Sequence, residues 1–450
     1  MATSLVRARW ALLLTVPLAL GSSIGPGCSA AVHNGFTTAT GSGGAGGGSG
    51  TGGATTHASS GTLGGGDLGF DAGLHDGGDE GGIVCTPGGP NDDVDHDGFT
   101  PAQGDCDDCD PNVNPNAVEV PTPMGGTPKD ENCNKVIDEV DPPCDTGFDV
   151  ADMDPLDGAR SVELCKQSSG ALNNWGVVSA KWVMPDGALP PTTEPAKTNF
   201  HLGHGMLSAF GAVVKVQRGQ RMLGLSSGSA RQPNDPGYHN VTGFDKGYTG
   251  NSPPGFPKES PACPGTMTGQ PHDPTALEVT INTPSNAKGF SFDFDFFTFE
   301  WPGFICSSYN DFFIALLSPV PLGQTDGNVS FDSMGNPVSV NNAFLEVCGC
   351  MGNPPNPCTA GGKTFTCALG DTELIGTGFG FDSGGGFGAQ DHGSTGWLQT
   401  KAPVASSTQI TMRWIVYDSS DGVLDTTTLV DNWKWIAEPG VAVGTTPILH

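Results

Sequence analysis

The sequence predicts a mainly β protein, a jelly-roll-like β-sandwich preceded by a disulfide-rich, calcium-loop segment with little regular structure. Three observations carry this reading. Phe290-Ser291-Phe292-Asp293-Phe294-Asp295-Phe296 alternates aromatic and polar residues, the period of a strand with one buried face. Thirteen cysteines occur, and all but Cys28 follow a long glycine-rich run. Asp93-Val94-Asp95-His96-Asp97-Gly98-Phe99 places side-chain oxygens at alternate positions and then a glycine, the pattern that wraps a hard cation.

The N-terminus reads as an export signal. Arg7 and Arg9 precede the apolar run Trp10 to Leu20, and small residues follow it. That run is too short to span a bilayer. Ile24-Gly25-Pro26-Gly27-Cys28 resembles a bacterial lipobox, with Gly25 where the pattern prefers leucine. The resemblance implies a lipid on Cys28 and residues 1–28 as a signal peptide; cleavage near Ala30 without lipidation is the alternative. Residues 29–84 are rich in Gly, Ser and Thr, cannot bury enough apolar surface to order themselves, and are expected to form a disordered tether.

An acidic, cysteine-containing segment spans 85–147. Of the 48 acidic residues, 24 lie between Asp67 and Asp157, against two bases, Lys129 and Lys135. Apolar residues are scattered singly, so metals and disulfides must supply the order that a core cannot. In the first loop Asp93, Asp95, Asp97, the Phe99 carbonyl and Asp105 are the expected ligands. Position twelve is Gly104 and the next acid Asp105, so a helix–loop–helix hand is not expected. Alternation returns at Asp108, Asp110, Asn112 and Asn114, and again at Asp130, Asn132, Asn134 and Asp138. The order D-x-D-x-D-G-F, G-D-C-D-D, P-N-A-V-E and E-N-C-N-x-x-I-D-E resembles the metal-binding repeat of bacterial surface proteins, with an insertion at Pro121 to Pro128. Some members of that family are linked to copper. Carboxylate and amide oxygens favour calcium, because copper prefers imidazole and thiolate.

Residues 148–450 have the composition of a folded domain. Leu277, Val279 and Ile281 alternate; Phe312 to Leu317 is a continuous apolar run expected to be buried on both faces; Met412 to Tyr417 and Leu429 to Ile436 are further strands. No long helical period stands out. Leu225-Ser226-Ser227-Gly228-Ser229-Ala230, Phe290 to Glu300, Tyr309 to Phe313, Asp421 to Asp425 and Leu429 to Trp433 resemble the choice-of-anchor L domain. That resemblance implies a β-rich module displayed at the bacterial surface and brings no reaction with it.

Among candidate sites, Asp418, Asp421, Asp425, Asp431 and Asn432 cluster in sequence around the last strands. Asp421, Asp425, Asp431 and Asn432 are the candidate second calcium site, with turn capping as the alternative. Asp293 and Asp295 are expected on a wet strand face. Gly224-Leu225-Ser226-Ser227-Gly228 fits G-x-S-x-G, but the prolines that follow oppose the helix a nucleophile elbow needs. His201 and His204 lack a third zinc ligand nearby. Trp301, Trp433 and Trp435 are read as core residues, with sugar stacking as the alternative. Cys348, Cys350, Cys358 and Cys367 are expected to staple a loop, and Cys263 to pair with Cys306; Cys165 has no partner legible in sequence.

The net charge of -29 opposes nucleic-acid binding. The expectation is a non-enzymatic, calcium-binding lipoprotein of the outer membrane or cell surface, or else secreted. Its partners would be the membrane, through the lipid, and an extracellular glycan or protein. The alternative is a secreted carbohydrate-active enzyme or other hydrolase using paired acids.

Overall fold

The structure, a computed structural model, describes residues 85–341, 344–349, 358–360 (backbone only), 362–380 and 392–448. The signal region, Cys28, the tether to residue 84, Cys350 and the Cys358 side chain lie outside the described residues. Gly81–His450 forms one compact unit.

In chain order the first described strands are β1 (Gly176–Val183), β2 (His204–Leu207), β3 (Ala209–Phe210), β4 (Val214–Lys215), β5 (Met222–Ser226) and β6 (Pro271–Asn282). They are followed by β7 (Gly289–Thr298), β8 (Phe312–Ser318), β9 (Val338–Ser339), β10 (Val347–Cys348), β11 (Cys358–Ala360) and β12 (Lys363–Phe365). The last are β13 (Gly393–Ser394), β14 (Leu398–Pro403), β15 (Gln409–Ser419), β16 (Thr426–Ile436) and β17 (Gly444–Pro447). Two short helices, α1 (Pro155–Arg160) and α2 (Ala196–Leu202), lie against this framework. Asp154 caps α1 by accepting from the Leu156 amide.

A five-stranded antiparallel sheet runs β1-β6-β15-β8-β9. An eight-stranded sheet runs β10-β13-β7-β16-β5-β2, with β14 bridging β7 and β17. The strands β6, β7 and β8, then β14, β15 and β16, alternate between the two sheets, as crossovers in a jelly roll do. Register sets Leu277 opposite Trp414 and Val279 opposite Met412, so apolar side chains stack on one face. Across the gap Phe292 meets Trp414 edge-on at 5.7 Å between ring centroids, and Phe294 lies 4.7 Å from Phe313. Each such fully buried aromatic contributes about 2–3 kcal/mol.

Both outer faces are covered as well. Phe297, Phe299 and Leu429 of the larger sheet pack under Phe210, Leu374, Phe379 and Trp397. On the smaller sheet Phe312, Ile314, Ile415 and Tyr417 pack with Phe256 and Val183. The covering on the larger sheet corrects the wet face expected for β7: all ten of its residues are buried. Asp293 accepts from Gln399 Nε2 (3.0 Å) and Asn432 Nδ2 (2.6 Å), and Asp295 from Ser394 Oγ (2.5 Å). Alternation identified which residues share a face but carried no information on what lies over that face.

The acidic segment docks on the sandwich, with no free stalk between them. Asn286 exchanges two hydrogen bonds with the Val118 backbone (2.9 and 2.8 Å). Ser285 Oγ donates to Asn114 Oδ1 (2.7 Å), and the Trp175 amide to Asn116 Oδ1 (2.7 Å). Farther along, Asp145 Oδ2 accepts from the amides of Gln220 and Arg221. Disulfides join Cys85 to Cys109, Cys106 to Cys133, Cys144 to Cys165, Cys263 to Cys306 and Cys348 to Cys367. Cys144 is the partner for Cys165 that spacing left open.

Candidate metal centres

The first acidic loop is organised by its own backbone. The Asp97 amide donates to Asp95 Oδ1 (3.2 Å), Gly98 to Asp93 Oδ2 (3.1 Å), and Phe99 to Asp97 Oδ1 (2.8 Å). Each aspartate therefore ties one oxygen to the turn and leaves the other to point inward. His96 (φ 63°) and Gly98 (φ 95°) supply the left-handed backbone that folds the loop inward; Gly98 takes this conformation without a Cβ penalty. One ligand oxygen from each of Asp93, Asp95 and Asp97 lies within 4.8 Å of the others. Oxygens bound to one calcium ion at about 2.3–2.6 Å lie at most about 5 Å apart, a limit these three meet.

Asp105 lies beside this group, near enough for its charge to act on Asp95 and Asp97. Its Oδ1 accepts from the Asp107 amide (2.9 Å), and its Oδ2 is enclosed without a hydrogen-bond partner. The same is true of Asp93 Oδ1, Asp95 Oδ2 and Asp97 Oδ2. Burial first, then the neighbouring charges of Asp97, Asp105 and Asp93, push the Asp95 carboxyl up to about 6. Burial also raises Asp97 and Asp105. Four oxygens that lack donors and repel one another fit a hard cation. The 3-10 turn Pro101–Gln103 returns the chain toward the loop at Asp105, one residue past the hand position.

The second and third alternations end differently. Asp108 commits its two oxygens to the amides of Gly88 (3.1 Å) and Val94 (3.0 Å), which frame the first loop. Asp110 accepts from the Asn112 amide and from Lys129 Nζ (2.5 Å). Asn114 is fully buried and accepts from the Asn116 amide and Ser285. Asp108, Asp110 and Asn114 are thus engaged by backbone amides, Lys129 and Ser285, Asn112 donates its side-chain amide to Asp110, and the four do not gather on an open centre. Asp130 accepts from the amides of Asn134 (3.0 Å) and Lys135 (2.7 Å), and Asp138 from Thr122 (2.7 Å). The side-chain amides of Asn132 and Asn134 both donate to Glu139 Oε1, while Glu139 Oε2 is enclosed and unpartnered. Glu139, outside the expected ligand set, is the residue on which this loop closes.

In the sandwich the expected grouping of Asp421, Asp425, Asp431 and Asn432 is not assembled. Asp425 just precedes β16 and Asp431 lies within it, six residues on, about 20 Å at strand rise. Asp431 accepts from the amides of Gln217 (2.6 Å), Arg218 (3.3 Å) and Asn432 (2.6 Å), and burial pushes it up to about 8. Asn432 (φ 57°) forms a bulge that turns its side chain onto Asp293. Asp425 faces Gly228, where a Cβ would lie 1.7 Å from its Oδ2, so only glycine fits there. Asp421 instead groups with Glu300 and Asp418, one oxygen of each lying within 4.8 Å of the others.

Other motifs resolve into packing. Ser226 ends β5 fully buried, donates to the Thr426 carbonyl (3.0 Å), and is followed by no helix. His201 Nδ1 and His204 Nε2 contact each other at 2.9 Å, and the His204 ring stacks on Trp182 at 3.8 Å. Trp301 and Trp433 are buried, with Trp433 stacked on Phe290 at 4.2 Å; Trp435 packs at the core edge. An open cavity of about 450 Å³ near Phe148, Asp149, Arg221 and Asp235 lies apart from these groups. No helix among the described residues is long and apolar enough to cross a membrane. Comparison with protein families, with curated proteins and with solved structures finds no match.

Proposed function

We propose that this chain is a non-enzymatic, calcium-binding lipoprotein displayed at a bacterial surface, held there through Cys28 and a flexible tether. Its role is adhesion or recognition of an extracellular glycan or protein. The resemblances to the choice-of-anchor L domain and to the surface metal-binding repeat agree with this reading. The single observation that carries it is the first loop, where Asp93, Asp95, Asp97 and Asp105 each hold an enclosed oxygen with no donor. Oxygen-only donors select calcium over copper, and disulfides suit an oxidising compartment.

Limited proteolysis of the purified chain with calcium and with chelator tests the metal. Cleavage within residues 85–147 should accelerate at least severalfold on chelation, and equal resistance in both conditions overturns the calcium reading. Binding to glycan and cell-envelope preparations should be lost with chelator; binding that persists removes the calcium-dependent recognition. Cys28→Ser should move the protein from the membrane to the soluble fraction, and unchanged membrane partition rejects the anchor.

A further inference from the structure

Four acidic side chains meet at one rim of the sandwich, contributed by segments distant in sequence. Glu300 follows β7, Asp311 precedes β8, Asp418 is near the end of β15, and Asp421 lies in the turn to β16. Glu300, Asp311 and Asp418 are 2%, 0% and 1% exposed. Asp311 is fully bonded: its Oδ1 accepts from the Ser419 amide (3.1 Å) and its Oδ2 from Thr426 Oγ1 (2.5 Å). Glu300 Oε2 accepts from the Asp311 amide (3.2 Å), which fixes the glutamate beside it. Asp418 Oδ2 accepts from the Val423 amide (3.1 Å) and its carboxyl lies against that of Asp311, but its Oδ1 is enclosed and meets no amide, hydroxyl or cationic donor. None of the four takes part in an ion pair with a lysine or arginine among the described residues.

We infer that Glu300, Asp418 and Asp421 hold a second divalent cation, calcium by their all-oxygen chemistry, within the sandwich itself. Three carboxylate oxygens within 4.8 Å of one another match the spacing of ligands around one such ion. The orphaned Asp418 Oδ1 is the independent sign, because a buried carboxylate oxygen normally finds a donor or a metal. Asp311 orients the set from behind, tying Ser419 at the end of one sheet to Thr426 at the start of a strand in the other. The ion would therefore join β7 of the larger sheet to β15 of the smaller one at this rim. The site shares no residue with the first acidic loop.

The test removes one site at a time in the full chain. Asp95→Asn with Asp97→Asn disables the loop; Asp421→Asn, at a partly exposed position, then disables the rim, with Glu300→Gln as a second rim variant. Calcium added to the chelated loop variant should still raise the sandwich melting temperature by several degrees and titrate a saturable site. Either rim substitution should weaken that site about tenfold or more and abolish the shift. A shift that survives either rim substitution, or a loop variant with no calcium-dependent shift, overturns the assignment and leaves the carboxyls sharing protons. The loop's own fate, read by proteolysis of residues 85–147, is a separate result.

Discussion

The acidic segment and the sandwich solve the same folding problem with different materials. In residues 85–147 scarcely any side chain is buried among apolar neighbours; Phe99, Val113 and Ala117 are the buried hydrophobics. Order there comes from aspartates that cap amides two residues on, from two internal disulfides, and from docking on Asn286 and Ser285. The sandwich instead buries aromatic residues between its sheets and on both outer faces. A carboxylate at the surface of the first region can face water, whereas one buried in either region needs a donor or a cation inside the protein. Most of the segment's acids are only partly buried, whereas those of the sandwich are enclosed, so close spacing weighs most where burial is deepest, as at Asp95 in the first loop and at the rim of the sandwich.

That contrast can be broken most directly at the core. Phe292→Ala leaves a cavity against Trp414 and Trp433 and should cost about 3–5 kcal/mol, measured by urea unfolding. A loss below about 1 kcal/mol would mean the sheets are not held by this layer. Next in size, replacing Cys106 and Cys133 by serine opens a 27-residue separation. It should cost the segment about 3 kcal/mol. The loss should appear as cleavage within residues 85–147, with the main melting transition nearly unmoved; a large shift in that transition would make the two regions one cooperative unit.

A pH series sharpens the sandwich side. His392 is buried, its Nδ1–H donates to the Trp301 carbonyl (3.0 Å), and its ring stacks on Phe299. Burial pushes it down to about 4. Above pH about 6.5 neither folded nor unfolded chain protonates it, so its full contribution is present. As pH falls toward 4 only the unfolded chain takes the proton, and stability is lost. His392→Gln should therefore remove about 2 kcal/mol of the difference between pH 7 and pH 5. An unchanged difference would place its proton affinity near the ordinary value. The smallest effect belongs to the segment's exposed pair: Lys129→Gln separates Asp107 and Asp110 from their cation and should cost less than about 1 kcal/mol. A larger loss would show that Lys129 does for the second loop what calcium is proposed to do for the first.

Legibility followed the same division. The first loop could be read because its ligands are neighbours in sequence and its backbone folds by local amide bonds; Asp93, Asp95 and Asp97 converge as their spacing predicts. Asp108 and Asp110 have the same spacing and serve other ends, since Gly88, Val94 and Lys129 reach them from elsewhere in the segment. In the sandwich, proximity in sequence misled. Asp421, Asp425 and Asp431 are close along the chain yet diverge, while Glu300, more than a hundred residues earlier, lies beside Asp421. Of that rim, the sequence singled out only Asp418 and Asp421, as members of the acid cluster around the last strands.

Alternating side chains, cysteine number and the stagger of acids in the first loop were enough to determine a β-rich fold with disulfides and one candidate cation loop. These properties repeat within a few residues, over which the backbone's own geometry dictates where side chains point. Which acids share a rim, which cysteine meets Cys165 and whether Asp293 faces water were decided only by the packing of two sheets and their coverings. Such contacts join residues dozens to hundreds of positions apart, and no local period in the chain encodes them.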